Sequence, residues 1–165
     1  KERLSKVYGN RTDQYVELFS KTYPDFTPQD LLSIDTVFRP FTIMASDSRA
    51  RQSSAPLYVY LLAWKSPVDD ATRGSFHGLD IPLAFDNIEL RSDWTGTSEE
   101  AYELADKMSS AWLNFAKTGN PNVEGKLPEW EPYTVENGAT MYFDNECRIV
   151  NNHDRELMYF IKPID

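Results

Sequence analysis

Apolar residues from Leu4 to Tyr8 predict a helix of one or two turns, stopped by Gly9-Asn10. Thr12 is an N-cap candidate for a second helix. It carries Tyr15, Leu18 and Phe19 on one face and ends at Tyr23-Pro24. Thr27-Pro28-Gln29-Asp30 combines a capping hydroxyl, a proline at the first helical position and an acid in the first turn. The helical pattern it opens runs through Leu31, Leu32, Val37, Ile43 and Met44, bends or restarts at Pro40, and fades between Ser46 and Ser54. The near-continuous apolar run Leu57 to Leu62 predicts a strand covered on both faces. Lys65 to Gly78 reads as loop, and Ile81 to Phe85 as a short apolar turn. The longest helix is expected over Ser98 to Lys117, where Ala101, Leu104, Ala105, Met108, Ala111, Trp112, Phe115 and Ala116 recur at three- and four-residue spacing. Thr97 and Glu100 form a capping box for it, Gly119 stops it and Pro121 lies beyond. A proline-bearing connector around Trp130 leads to a hairpin, Ala139 to Phe143 and Cys147 to Val150, across Asp144-Asn145-Glu146. A last helix, Asn152 to Ile161, is closed by Pro163.

The order is helices, strand, long loop, long helix, hairpin, helix. That is an α/β pattern, without internal repeats or low-complexity segments. The linkers are short, so residues 1–165 read as a single unit. Composition narrows the function classes. With 41% hydrophobic and 13% aromatic residues the chain has material for a core, unlike a disordered segment. Its longest apolar run, Leu57 to Trp64, is too short for a transmembrane helix. A net charge of −9 repels phosphate backbones, and no basic run offsets it, so no nucleic-acid partner is expected. The one cysteine, Cys147, excludes an internal disulfide framework and a multi-cysteine zinc site. Lys1-Glu2-Arg3-Leu4 has neither a signal-peptide pattern nor an initiating methionine. The expectation is therefore a processed chain, or a piece of something longer.

Few residues could carry chemistry. His153 stands beside Asp154 at a helix start and reads as a solvated first-turn histidine. His77 lies in Gly74-Ser75-Phe76-His77-Gly78-Leu79-Asp80-Ile81-Pro82, a glycine-flanked loop after the clearest strand. Loops displayed from a rigid strand often hold catalytic groups, and imidazole suits acid–base work near neutrality. By local pattern alone, though, a lone loop histidine is more often structural or merely exposed. Asp69-Asp70 could bind a cation or simply be solvated. Asn10-Arg11-Thr12 is a glycosylation acceptor pattern, and Cys147 reads as a small buried apolar residue. The Met108, Trp112 and Phe115 stripe reads as core. No glycine-rich phosphate loop, metal-ligand spacing or Gly-x-Ser-x-Gly is present.

Six segments in order resemble the C-terminal third of type-B carboxylesterases, the family of para-nitrobenzyl esterases and cholinesterases. Asp35-x-x-Phe38-x-Pro40 resembles the helix before a late sheet strand, and Leu57-Tyr58-Val59-Tyr60-Leu61 that strand. Phe76-His77-Gly78-Leu79-Asp80 through Phe85 is similar to the family's His-Gly-x-acid-x-x-x-x-Phe motif. Ser110 to Asn122 is similar to its Trp-x-x-Phe-Ala-x-x-Gly-x-Pro signature. Trp130-Glu131-Pro132-Tyr133 and Ala139 to Phe143 match the segment and closing strand that follow. The resemblance implies the C-terminal portion of an α/β-hydrolase, with a small sheet (57–62, 139–143, 147–150) packed with helices. It also implies a serine, an acid and a histidine acting in that chain order on a small carboxylic ester, without cofactor or metal. His77 maps onto the catalytic histidine, with Gly78 and Asp80 as its support. The elbow serine and the acid lie upstream of Lys1 in that family, so the chain alone is expected to be inactive. Its first strand would then be left with an open edge, and self-association is expected. A cholinesterase-like binding or adhesion module that has lost its serine is the alternative, and a stand-alone interaction domain a third reading.

Overall fold

The computed structural model describes residues 2–161. Their contacts divide the chain into two compact units. One comprises residues 1–54, 134–138 and 152–165, and the other residues 55–133 and 139–151. The expected close of the last helix at Pro163 lies outside the described residues.

The first unit is helical. It holds α1 (Glu2–Tyr8), α2 (Thr12–Thr22), a single turn α3 (Asp30–Ser33), α4 (Phe38–Gln52) and α8 (Arg155–Ile161). Leu4, Tyr15, Phe19, Ile43, Leu157, Met158 and Ile161 form its core. Three local expectations change. Thr12 does not cap α2; its hydroxyl donates back to the Gly9 carbonyl at 2.7 Å from inside the helix. The helical pattern after Thr27 breaks between Ile34 and Val37, before Pro40, because Asp35 caps α4. Its carboxylate accepts from the amides of Val37, Phe38 and Arg39 at 2.8–2.9 Å. Pro40 then sits in the first turn, where its missing N–H costs nothing, and α4 continues through the polar stretch to Gln52.

Polar residues also close this core. Arg39 donates through Nε and Nη2 to the two oxygens of Asp154, both at 2.8 Å, with side chains only 6% and 2% exposed. Asp47, also buried, accepts from Arg155 and from the Tyr159 hydroxyl. That hydrogen bond, followed by desolvation, raises the Tyr159 phenol above its usual range.

The second unit is the α/β one. β1 (Val59–Leu62) pairs in parallel with β2 (Ala139–Phe143), and β2 pairs antiparallel with β3 (Arg148–Asn151), in the order β1-β2-β3. Between β1 and β2 run α5 (Asp80–Ala84), α6 (Ser92–Thr95) and the long α7 (Glu99–Thr118). A parallel pair requires such a crossover. Ala101, Leu104, Ala105, Met108 and Ala111 of α7 share one core with Met141 and Phe143 of β2, and with Leu79, Leu83 and Trp64. The cap of α7 is Ser98, which accepts the Ala101 amide, and not Thr97. Gly119 ends the helix in the left-handed conformation, φ +76. The doubly covered strand is β2, buried at all five positions, whereas β1 is buried only at Val59. β2 has neighbours on both sides. Among the described residues β1 has one, so its apolar run marks an edge.

Candidate active site

His77 stands on a turn sewn to the end of β1. After Leu62 the chain stays against β2, with the Ala63 and Trp64 amides both donating to the Phe143 carbonyl at 2.9 and 3.0 Å. The Ser75 hydroxyl returns to the Leu62 carbonyl at 2.8 Å, so the loop Lys65 to Gly74 starts and finishes at the same strand end. The next four residues close a turn, with the Leu79 amide donating to the Phe76 carbonyl at 3.2 Å. Gly78 occupies its third position at φ +86, a conformation a β-carbon resists. Leu79 is fully buried, which leaves His77 exposed at the tip.

Asp80 opens α5 directly behind that turn. Its Oδ2 accepts the Tyr60 hydroxyl at 2.7 Å, which ties the helix start to the middle of β1. Burial, reinforced by the hydrogen bond and charge of Asp80, raises the Tyr60 phenol well above its usual range. Tyr60 therefore stays the neutral donor. Its ring is fixed in turn by edge-on packing against Trp112, 4.9 Å between centroids.

The other flank of the turn is aromatic. The Trp94 ring lies 3.5 Å from where a β-carbon on Gly78 would sit, and it meets Phe76 edge-on at 5.3 Å. Arg91 stacks over Trp94 at 3.4 Å and Arg73 over Phe76 at 4.1 Å. Buried Ser66 donates to the Trp94 carbonyl at 2.5 Å. Sequence reasoning passed over both Tyr60 and Trp94. Strand alternation places Tyr60 on the opposite face from Val59 and Leu61, and that signal was available. Nothing local marked Trp94.

Beside β1, Tyr58, Tyr60, Trp112, Phe115, Pro121 and Trp130 line a groove of about 210 Å³. The α7 stripe is thus core only as far as Ala111. Trp112 is half-buried and Phe115 is exposed at the groove. The remaining candidates stand on other elements. His153 is exposed and meets Tyr23 edge-on. Asp69 and Asp70 are exposed, with left-handed backbones. Asn10 is exposed in the short 3-10 turn between α1 and α2. The Cys147 thiol is half-buried, pushed up by desolvation, and donates to the Asp144 carbonyl at 3.4 Å. Ser46 and Ser48 lie within α4, and Ser53 and Ser54 directly after it.

The fold is that of a segment of the α/β-hydrolase fold. The structure superposes with a TM-score of 0.81 on an esterase from anaerobic Clostridium hathewayi that can hydrolyse aliphatic aromatic polyesters, at 32% identity over 97% of this chain and 31% of that one. It superposes at 0.71 on a carboxylesterase of Geobacillus stearothermophilus, at 25% identity over 95% of this chain and 34% of that one. Residues 6–160 match the sequence profile of the Carboxylesterase family, and the chain belongs to that family. In sequence it is 32% identical over 121 residues to the para-nitrobenzyl esterase of Bacillus subtilis, covering 72% of this chain and 24% of that one. Against the bile salt-activated lipase of Homo sapiens it is 35% identical over 123 residues, 72% of this chain and 15% of that one. The chain thus spans about a quarter or less of the length of these curated relatives.

Proposed function

We propose that residues 1–165 are the C-terminal segment of a serine carboxylic-ester hydrolase and supply its catalytic histidine, His77, while the nucleophilic serine and the triad acid come from chain outside these residues. The observation that carries this reading is an exposed imidazole on a turn sewn to a strand end, in a chain of the Carboxylesterase family. The substrate is a small carboxylic ester, and no cofactor takes part. His77 accepts the serine proton as the serine oxygen bonds to the ester carbonyl carbon. It then passes that proton to the departing alcohol as the ester C–O bond breaks. Water repeats the sequence on the acyl-enzyme: His77 takes its proton, the carboxylic acid leaves, and the proton returns to the serine. Gly78 supports His77 by permitting the left-handed turn, and Asp80 by holding the turn to β1 through Tyr60.

His77→Ala in the full-length esterase tests this by steady-state hydrolysis of a p-nitrophenyl ester. Turnover is expected to fall by several orders of magnitude, leaving roughly 10³–10⁴-fold over water from the contacts that remain. Turnover near wild type refutes the assignment. No Gly-x-Ser-x-Gly occurs in the 165-residue chain, so by itself it should leave a fluorophosphonate without a reactive serine to label. Its open β1 edge, beside the aromatic groove, makes it self-associate.

A further inference from the structure

We infer that Trp94 is a positioning residue for His77, setting the place of the imidazole by clamping the Gly78 turn; this rests on the catalytic role proposed above for His77. The Leu79 amide closes the turn on the Phe76 carbonyl at 3.2 Å, and its tip is exposed. Ser75 anchors the approach and Tyr60, through Asp80, anchors the exit. The residues that flank His77 are Phe76 and Gly78. Trp94 touches both. Its six-membered ring rests 3.5 Å from where a β-carbon on Gly78 would sit, and it meets Phe76 edge-on at 5.3 Å.

Trp94 is itself held at two points, its backbone carbonyl and its ring. Its backbone carbonyl accepts the fully buried Ser66 hydroxyl, which also takes the Val68 amide at 3.1 Å and so links the indole to the loop leaving β1. The Arg91 guanidinium covers its outer face at 3.4 Å. Asp93 fixes that guanidinium through two hydrogen bonds, 3.1 and 3.3 Å, and its carboxyl is held below the usual range first of all by that partner. The neighbouring Arg73 stacks on Phe76 and reaches the Asp93 carbonyl at 3.4 Å. The two arginines thus stack on two rings that meet edge-on across the turn. A cation on an indole face adds attraction to the packing.

An imidazole that must reach both a serine hydroxyl and a leaving oxygen tolerates little displacement, and about 1 Å of misplacement can cost on the order of 100-fold in rate. The account therefore separates Trp94 from an ordinary packing residue. In the full-length esterase, Trp94→Leu should lower kcat for a p-nitrophenyl ester by about 10- to 100-fold. KM should stay within about threefold, because the clamp acts on the imidazole and not through a contact to the ester. Trp94→Phe keeps an aromatic face against Gly78 and should recover most of the loss. Each kcat is referred to the folded fraction, measured by near-UV circular dichroism. A kcat within about threefold of wild type in Trp94→Leu overturns the inference. So does a loss that merely follows the folded fraction, or one that Trp94→Phe does not relieve. His77→Ala run alongside keeps the two readings apart. A fully active His77→Ala removes the catalytic role itself, whereas an inactive His77→Ala with a normal Trp94→Leu removes only the clamp.

Discussion

Asp154→Asn removes the carboxylate that pairs with the buried Arg39 guanidinium. The native pair is bidentate at 2.8 Å on both arms and almost wholly removed from water, so neither surface screening nor rearrangement of a solvated side chain offsets the loss. Breaking a buried pair by removing one partner costs about 3–5 kcal/mol. An exposed pair such as Lys21–Glu156 contributes about 0–1 kcal/mol, and its loss sets the scale of a surface effect. With a urea dependence of about 2 kcal/mol per molar, a 4 kcal/mol loss lowers the unfolding midpoint by roughly 2 M. Equilibrium unfolding in urea, followed by circular dichroism, measures it for Asp154→Asn, for Lys21→Ala and for the double variant Arg39→Met/Asp154→Leu. The double variant removes both charges and replaces them with apolar volume, so it should regain most of the stability that Asp154→Asn loses. A midpoint for Asp154→Asn no lower than that of Lys21→Ala refutes the reasoning, since the pair would then behave as a solvated one.

Asp35→Ala removes the acceptor of three α4 amides and should destabilise by about 1–2 kcal/mol, read by the same urea titration; no change would mean that water caps that end equally well. The Tyr60 phenol is raised by burial first and by Asp80 second, so of the nine tyrosines it should ionise among the last in an alkaline titration at 295 nm. Tyr60→Phe should reduce that late phase, leaving the part due to Tyr15, which burial also raises. The sign follows from linkage: a raised folded pKa gives stability that is complete below the ordinary tyrosine value near 10 and is lost as pH climbs through the folded value. Stability of the wild type should therefore fall more steeply above about pH 10 than that of Tyr60→Phe, and equal slopes would contradict the assignment. Light scattering coupled to size exclusion should give the isolated chain a mass above 19.0 kDa at physiological salt, where screening shortens the reach of its −9 charge. A monodisperse 19.0 kDa species would show that the β1 edge does not recruit another chain.

The features legible in the sequence are those written in local periodicity. The α7 stripe with its terminal glycine, the β2–β3 hairpin and the β1 run all lie where their spacing places them. Features set by distant residues were not legible. Apolar content alone cannot separate an edge strand from a covered one, so the doubly buried strand proved to be β2, with its mixed Thr140 and Tyr142, and not β1. The restart of α4 follows the Asp35 carboxylate, a short acceptor that competes with the proline signal at Pro40. Arg39 and Asp154 stand 115 residues apart, and His153-Asp154 read as a solvated helix start; only the fold shows that Asp154 is buried. Around the candidate site, the glycine-flanked motif drew attention to His77, Gly78 and Asp80. Tyr60 and Trp94 reach that turn from 17 residues before and 17 after His77, and no local pattern encodes such contacts.

The claim that His77 is the proton shuttle of an ester hydrolase is tested most directly by its acylation step. Rapid mixing of the full-length esterase with excess p-nitrophenyl ester reads the first release of p-nitrophenolate, separated from deacylation. Wild type should give a burst stoichiometric with enzyme. His77→Ala, correctly folded, should acylate several orders of magnitude more slowly, because the serine proton then has no acceptor. A burst of wild-type rate and amplitude in His77→Ala would contradict the account.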